Sequence, residues 1–301
     1  MTTPDRRMLL VHAHPDDETI GTGATMARYV AEGAQVTLVT CTLGEEGEVL
    51  VPELAHLASH AEDGLGEHRI GELAEAMAVL GVTDHRFLGE PGRYRDSGMV
   101  WADDGSATAG DTRPDAFWNA DLTVAANDLV AVIRELRPQV LVTYDEFGGY
   151  GHPDHVQAHR VATYAVTLAA VTSYRRDLGE AWDVRKVYWT AMAASRMREG
   201  LRALRDAGDT TTFEGMDPEN LPPMVSEDAD LDAAIDGRDF LDLKMDALRA
   251  HATQVTLDGP FFALSNNLGQ QVWGTEFYRL AKGARGPVGP SGLEEDLFAG
   301  L

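Results

Sequence analysis

Between residues 7 and 192, short apolar, often β-branched runs alternate with stretches whose apolar residues recur three and four apart. That alternation confines the chain to one kind of architecture. Parallel strands need crossovers of a dozen residues or more, and helices are what fill them, so the sheet is mostly parallel and covered by helices. Residues 8–12 read as a first strand, 20–32 as a helix closed by Gly33, and 35–42 as a second strand. A helix over 66–80 carries Ile70, Leu73, Ala74, Met77 and Leu80 on one side. Residues 86–89 form a short third strand, 121–136 an amphipathic helix stopped before Pro138, and 139–144 a strongly apolar strand. The loop 145–154 leads into a helix through Val171, and 186–190 reads as a fifth strand.

The pattern weakens afterwards. Residues 206–236 are rich in Asp, Gly, Pro and Thr and are expected to run over the surface as loops. Residues 240–253 read as a helix and 283–292 as a tail. The predicted fold is a single α/β domain over 1–301. Its Rossmann-like, mostly parallel sheet spans about 7–192, and C-terminal additions, 193–301, pack on the crevice.

Charge narrows the class of ligand. The chain holds 49 acidic against 25 basic residues, a formal net charge of −24 at pH 7. Polyphosphates and anionic lipid need a basic counter-surface, so neither nucleic acid nor membrane is expected as a partner. A cation or an uncharged, hydroxyl-rich small molecule suits the balance, and a homo-oligomer is compatible with it. The single cysteine, Cys41, excludes an intrachain disulfide framework and sits within a predicted buried strand, as a core residue would. The apolar run Met8-Leu9-Leu10-Val11 is too short for a secretion signal, and no stretch approaches the ~20 residues of a membrane span. Cytoplasmic residence is the expectation.

Two motifs carry the chemistry. His12-Ala13-His14-Pro15-Asp16-Asp17-Glu18 directly follows the first strand, and Gly148-Gly149-Tyr150-Gly151-His152-Pro153-Asp154-His155 follows the strand ending at Tyr144. In a parallel sheet, loops at the carboxyl ends of the strands converge on one crevice. His14 and His155, 141 residues apart, are therefore expected to meet. Imidazoles plus a carboxylate, with one open position, describe a catalytic zinc site, and the same set suits Fe(II). Asp16 and Asp17 cannot easily both bind one ion from a tight turn, so one is expected to bind and the other to act as a base. His152 and His155, three apart at a helix start, can likewise divide acid and ligand roles. Each motif also has a structural explanation, as a capping aspartate or as proline in a helix's first turn. Finding both motifs after strands of the same sheet favours the metal site. Gly21-Thr22-Gly23 resembles the start of a dinucleotide fingerprint, but Met26 stands at the third glycine position and acidic residues crowd the turn.

The segments Ala13–Glu18 and His152–His155 resemble the hallmarks of the PIG-L/LmbE-like zinc deacetylase superfamily. Further likeness is to its actinobacterial mycothiol-pathway members. It is carried by the stretches 42–48, 69–73, 92–98, by Arg249-Ala250-His251-Ala252-Thr253-Gln254, and by Ala263-Leu264-Ser265-Asn266-Asn267-Leu268. The resemblance implies one Zn²⁺ per subunit, or Fe²⁺ in the cell, held by His14, Asp17 and His155. It implies Asp16 as general base, and His152 as oxyanion donor or acid, oriented by Asp154. Tyr150 would polarise the acetyl carbonyl, and Arg69, Asp96, Glu48 and Asn266 would contact sugar hydroxyls. The implied reaction is deacetylation of an N-acetylglucosamine unit α-linked to myo-inositol, in mycothiol biosynthesis. Amidase action on mycothiol S-conjugates is the nearest alternative, and a non-catalytic protein that keeps the metal pocket is a more distant one. His12 is expected to lie behind the site or at the strand end, and His251 to be a structural residue at the crevice rim.

Overall fold

The computed structural model describes residues 5–102, 105–206, 208, 216–222, 224–256 and 274–301. β1 (Arg7–His12) passes into α1 (Asp17–Ala31) and returns as β2 (Gln35–Thr40); α2 (Leu65–Leu80) and β3 (Asp84–Phe87) repeat the unit. A small hairpin of β4 (Val100–Trp101) and β5 (Ala107–Thr108) stands apart as its own two-stranded sheet. Next come α3 (Leu122–Leu136), β6 (Val140–Thr143), the single turn α4 (Gly148–Gly151), α5 (Pro153–Ala169) and β7 (Lys186–Ala193). The chain continues through α6 (Ala194–Asp206), β8 (Val225–Ser226), β9 (Ala233–Asp236), α7 (Leu241–Ala250) and β10 (Thr275–Lys282).

The main sheet runs β3-β2-β1-β6-β7-β10-β9, with β8 on the end of β7. Strands β3, β2, β1, β6 and β7 pair in parallel, whereas β10 is antiparallel to both β7 and β9. β2 and β6 flank β1 on opposite sides, so the connections leaving β1 and β6 diverge to opposite faces and a crevice opens between their carboxyl ends. Both histidine-aspartate motifs start there.

Period-2 alternation explains why the strands are apolar throughout. Leu9, Val11, Val39 and Leu141 pack with α3 and α5, while Met8, Leu10, Leu38, Val140 and Val142 pack with α1, α2 and α7. Both sets are buried, as strands covered on two faces require. Truncating Leu9, fully enclosed, to alanine is expected to cost about 2–5 kcal/mol.

Two departures from the sequence-based expectation matter for function. α1 begins at Asp17 rather than Ile20, because the N–H groups of Thr19 and Ile20 donate to the carbonyl of Asp16. The apolar periodicity starts only at Ile20, so Asp17 and Glu18 form an acidic first turn that pattern alone does not reveal; the helix dipole favours acids there. Secondly, the C-terminal segment is more ordered than loops and a tail. β9 and β10 extend the main sheet, α6 occupies much of 194–206, and Glu294, Leu297 and Phe298 are buried. Glu294 receives Lys186 Nζ at 2.6 Å and the Tyr188 hydroxyl at 2.7 Å, which fastens this segment to β7. A two- or four-residue strand such as β8 or β9 carries too little alternation to be seen in sequence. Among the described residues, no helix is long and apolar enough to cross a membrane.

Candidate active site

Asp17 sits between two imidazoles. Its Oδ2 lies 3.1 Å from Nδ1 of His14 and accepts the His14 main-chain N–H at 2.9 Å; its Oδ1 lies 3.2 Å from Nε2 of His155. The far nitrogen of each ring is already engaged. Nε2 of His14 faces Asp154 Oδ2 at 3.2 Å, and Nδ1 of His155 faces the Gly148 carbonyl at 3.1 Å. A carbonyl can only accept, so Nδ1 of His155 carries a proton and Nε2 is the nitrogen left to face a cation. Accordingly, that buried Nε2 has no hydrogen-bonding partner among the described residues. Nε2 and a carboxylate oxygen 3.2 Å apart require a positive charge between them, a proton or a metal ion. His14, Asp17 and His155 thus form a donor set that fits a divalent metal, with each imidazole braced from behind. Donor atoms of His14, His152 and His155 also lie within 4.8 Å of one another, as do those of His14, Asp96 and Asp154.

The carboxylates around the two imidazoles draw positive charge into the site, which protons or a cation displacing them can supply. Burial opposes ionisation of Asp17, yet the imidazoles of His155 and His14 outweigh it and hold the carboxyl well below the usual range. Burial likewise opposes a charge on His14, but Asp96, Asp154 and Asp17 surround it and raise it well above an ordinary imidazole. Stacking of Tyr144 on His155, ring centroids 4.2 Å apart, fixes the second ring. Gly148 must be glycine: at φ +65° a Cβ would lie 2.6 Å from that of His155.

Asp16 has φ 115° and ψ −37°, a conformation that costs a residue with a side chain on the order of 1–3 kcal/mol. Although it stands at the N-cap of α1, its side chain makes no capping bond. It instead accepts from Nη2 of Arg69 at 3.0 Å. Burial pushes its carboxyl up to about 6, against the opposing pull of Arg69. Arg69 is only 2% exposed, and its guanidinium also donates to the carbonyls of Gly44 and Pro15. The Nη donors of Arg69, expected to contact a sugar hydroxyl, go here to Asp16 and the main chain, while its buried Nε has no hydrogen-bonding partner among the described residues. A Cβ on Gly44 would fall 1.9 Å from Arg69 Nη1, so only glycine lets the guanidinium approach.

His152 caps α5, its Nδ1 accepting from the main-chain N–H of Asp154 at 3.1 Å, with Pro153 in the first turn. The structural explanation of this motif thus holds together with the functional one. With Nδ1 occupied, the neutral ring carries its proton on Nε2 as a donor. Burial, together with His14 and His155, presses its pKa down to about 2, so it is neutral. The expected orientation of His152 by the Asp154 carboxylate is corrected. That carboxylate faces His14 and is held by the N–H of Ser97, at 2.8 Å, and by the Ser97 hydroxyl. Only the Asp154 main chain touches His152.

Tyr150, in the one-turn α4, has its ring 5.2 Å from His155 and 6.1 Å from both His152 and the exposed Trp101. Asp96 is buried beside His14, Oδ1 to Nε2 3.5 Å, and accepts the N–H groups of Glu46 and Gly98. Against burial, His14 and the hydrogen bonds hold its carboxyl far below the usual range. Each oxygen thus accepts one main-chain N–H, and a carboxylate has further lone pairs for the sugar hydroxyl expected of it. Glu48 is exposed in the loop after β2, its carbonyl taking Gln254 Nε2 at 3.1 Å. Asn266 lies outside the described residues.

His12 is behind the site, 3.2 Å from the Tyr144 hydroxyl and 3.1 Å from that of Thr22. Cys41 is buried in the core, and burial pushes its thiol up. His251 is not at the rim; it is wholly enclosed, Nε2 3.0 Å from Oε1 of the equally buried Glu18. Sequence reasoning missed Ser97, Tyr144 and Glu18. For Tyr144, its place at the carboxyl end of β6 was a usable signal, whereas nothing in the sequence pairs Glu18 with residue 251.

Comparison with known proteins adds to this geometry. The family described as PIG-L, GlcNAc-PI de-N-acetylase, matches residues 9–166. A 1D-myo-inositol 2-acetamido-2-deoxy-alpha-D-glucopyranoside deacetylase of Kribbella flavida is 70% identical over 300 residues, 99% of each chain. One of the same name from a Nocardioides species is 69% identical over 301 residues, covering 99% of this chain and all of its own. Among solved structures, N,N'-diacetylchitobiose deacetylase from Pyrococcus horikoshii superposes with a TM-score of 0.60 at 18% identity, covering 92% of this chain and 84% of that one. At that identity the likeness bears on the fold.

Proposed function

The chain belongs to the PIG-L family, and from that premise we propose that it is a zinc-dependent hydrolase. Its substrate on this reading is N-acetylglucosaminyl-α-inositol, which it deacetylates to the free amine and acetate as a step in mycothiol synthesis. The observation that carries this is the arrangement of His14, Asp17 and His155, in which two buried imidazoles converge on one carboxylate next to a half-buried second carboxylate, Asp16. The relatives named for this deacetylation support the substrate, since 69–70% identity extends over nearly the whole chain.

A divalent ion held by His14, Asp17 and His155 would polarise the amide carbonyl and bring the pKa of water to ~7. The chain's own groups do the rest. Asp16 takes a proton from the attacking water as its oxygen bonds to the acetyl carbon. The Nε2–H of His152 and the hydroxyl of Tyr150 donate to the carbonyl oxygen as it gains charge; one such donor is worth ~3–4 kcal/mol. The C–N bond then breaks with return of the proton to the amine nitrogen, because an amide anion is too basic to leave. Asp16, raised to about 6, is ionised at neutral pH yet basic enough for that exchange. Arg69 holds its carboxylate, and Asp96, Glu48 and Asn266 are the candidates for hydroxyl contacts.

The test is acetate release by the metal-loaded chain from N-acetylglucosaminyl-inositol, from N-acetylglucosamine, and amide cleavage of a mycothiol S-conjugate. We expect the pseudodisaccharide to be preferred at least tenfold in kcat/KM. Faster cleavage of the conjugate would transfer the assignment to an amidase, and inert metal-loaded protein would remove it. Asp16→Asn should lower kcat by about 10²–10⁴-fold with metal retained, and His155→Ala should lose the metal on dialysis.

A further inference from the structure

Glu18, the last residue of the first motif, has no part in the chemistry above, yet it is completely buried beside a second buried ionisable group. Its Oε2 accepts the main-chain N–H of Asp16 at 3.0 Å, and its Oε1 lies 3.0 Å from Nε2 of His251 and accepts the Thr19 hydroxyl at 2.6 Å. Glu18 and His251 are each 0% exposed. His251 comes from the far side of the sequence, at the C-cap of α7, which packs on α1 and α2. A single carboxylate thus spans the strained Asp16 and a histidine 233 residues away.

We infer that His251, acting through Glu18, is a positioning residue that fixes the main chain of Asp16 for proton transfer. This rests on the reading of Asp16 as the base. A residue at φ 115° keeps that conformation only while its surroundings over-determine it. Arg69 holds the Asp16 side chain from one side; Glu18 holds its N–H from the other. Glu18 stays buried with one oxygen aimed at that N–H because its other oxygen is also satisfied, by the hydroxyl of the adjacent Thr19 and by His251. Of these two, His251 is the one that ties the carboxylate to a separate element, α7. Burial opposes a charge on His251, but Glu18 and Asp16 raise it above the ordinary imidazole value, which strengthens the pair. Without His251, the only hold left on that oxygen is the hydroxyl of the neighbouring Thr19, which moves with the same helix turn. Glu18 can then turn, the Asp16 peptide relaxes, and the carboxylate shifts relative to the crevice. A displacement of about 1 Å can cost on the order of 10²-fold in rate.

The experiment is a cycle between His251 and Asp16 in the metal-loaded full chain, with kcat, KM, metal content and thermal unfolding measured throughout. His251→Leu, which removes the donor and keeps bulk, should lower kcat tenfold or more, with KM within threefold and metal content unchanged. His251→Gln, whose amide reaches the same point, should recover most of that loss. In an Asp16→Asn background, His251→Leu should cause no further change. A kcat for His251→Leu within twofold of the parent, an equal drop in both backgrounds, or a glutamine variant as impaired as leucine would each overturn the inference. Should His251→Leu not fold, Glu18→Gln carries the same comparison, with loss expected only where Asp16 is intact. An Asp16→Asn enzyme of normal kcat would remove the base assignment and this inference with it. A collapsed Asp16→Asn alongside an unaffected His251→Leu would remove this inference alone.

Discussion

Asp154 and His14, 140 residues apart in sequence, meet with Oδ2 3.2 Å from Nε2, so the aspartate of the second motif braces the histidine of the first. A carboxylate behind a metal-binding imidazole sets its tautomer and raises its basicity. Because Ser97 clamps the same carboxylate, its position is fixed from two sides.

Asp154→Asn is therefore expected to weaken metal affinity by about 10–100-fold. Competition with a chelator reads this directly. His152 should keep its tautomer, since it is the Asp154 main chain that donates to it. Parental metal affinity with a collapsed kcat would return Asp154 to the role of orienting His152.

Arg69→Met should lower kcat, by about 10²-fold, far more than it raises KM, because the guanidinium contacts Asp16 and two carbonyls. Arg69→Lys keeps the charge but not the planar fork, so it should recover only part of the rate. Breaking a buried pair also destabilises, by about 3–5 kcal/mol, which a denaturant titration would register. A large rise in KM at unchanged kcat would reinstate a sugar contact.

Stability should fall at high pH through three enclosed tyrosines. Burial raises the phenols of Tyr29, Tyr188 and Tyr278 above the ordinary value, reinforced by Asp296, Glu294 and Glu276 respectively. A group whose folded pKa exceeds its unfolded value, ~10 for tyrosine, contributes stability that is complete below that value and lost as pH rises above it. The urea midpoint should thus decline as pH rises from about 10 to 12, less steeply in Tyr188→Phe. A midpoint flat across this range counts against the prediction.

Cys41 should be inert to thiol reagents at pH 8 in the native protein and react at once in denaturant, because burial raises its pKa and blocks access. Rapid native labelling would mean that the strand end opens.

The parallel core was readable because strand and helix periods are local, as in the run Met8 to Val11 and in Leu73, Met77 and Leu80. The two motifs could be assigned to one crevice because loops after parallel strands converge, whatever the side chains. The edge strands β8 and β9 were not readable, since two or four residues hold almost no period.

By itself, then, the sequence determined the parallel part of the sheet, the crevice and the residue types brought to it, but not β8, β9 or β10. Which carboxylate serves which partner was decided only by tertiary structure. Asp154 goes to His14, Arg69 to Asp16, and Glu18 to His251, over separations of 140, 53 and 233 residues. The reason is that a buried polar group must be satisfied by whatever donor or acceptor the packed fold places within ~3 Å, and spacing along the chain carries no record of that.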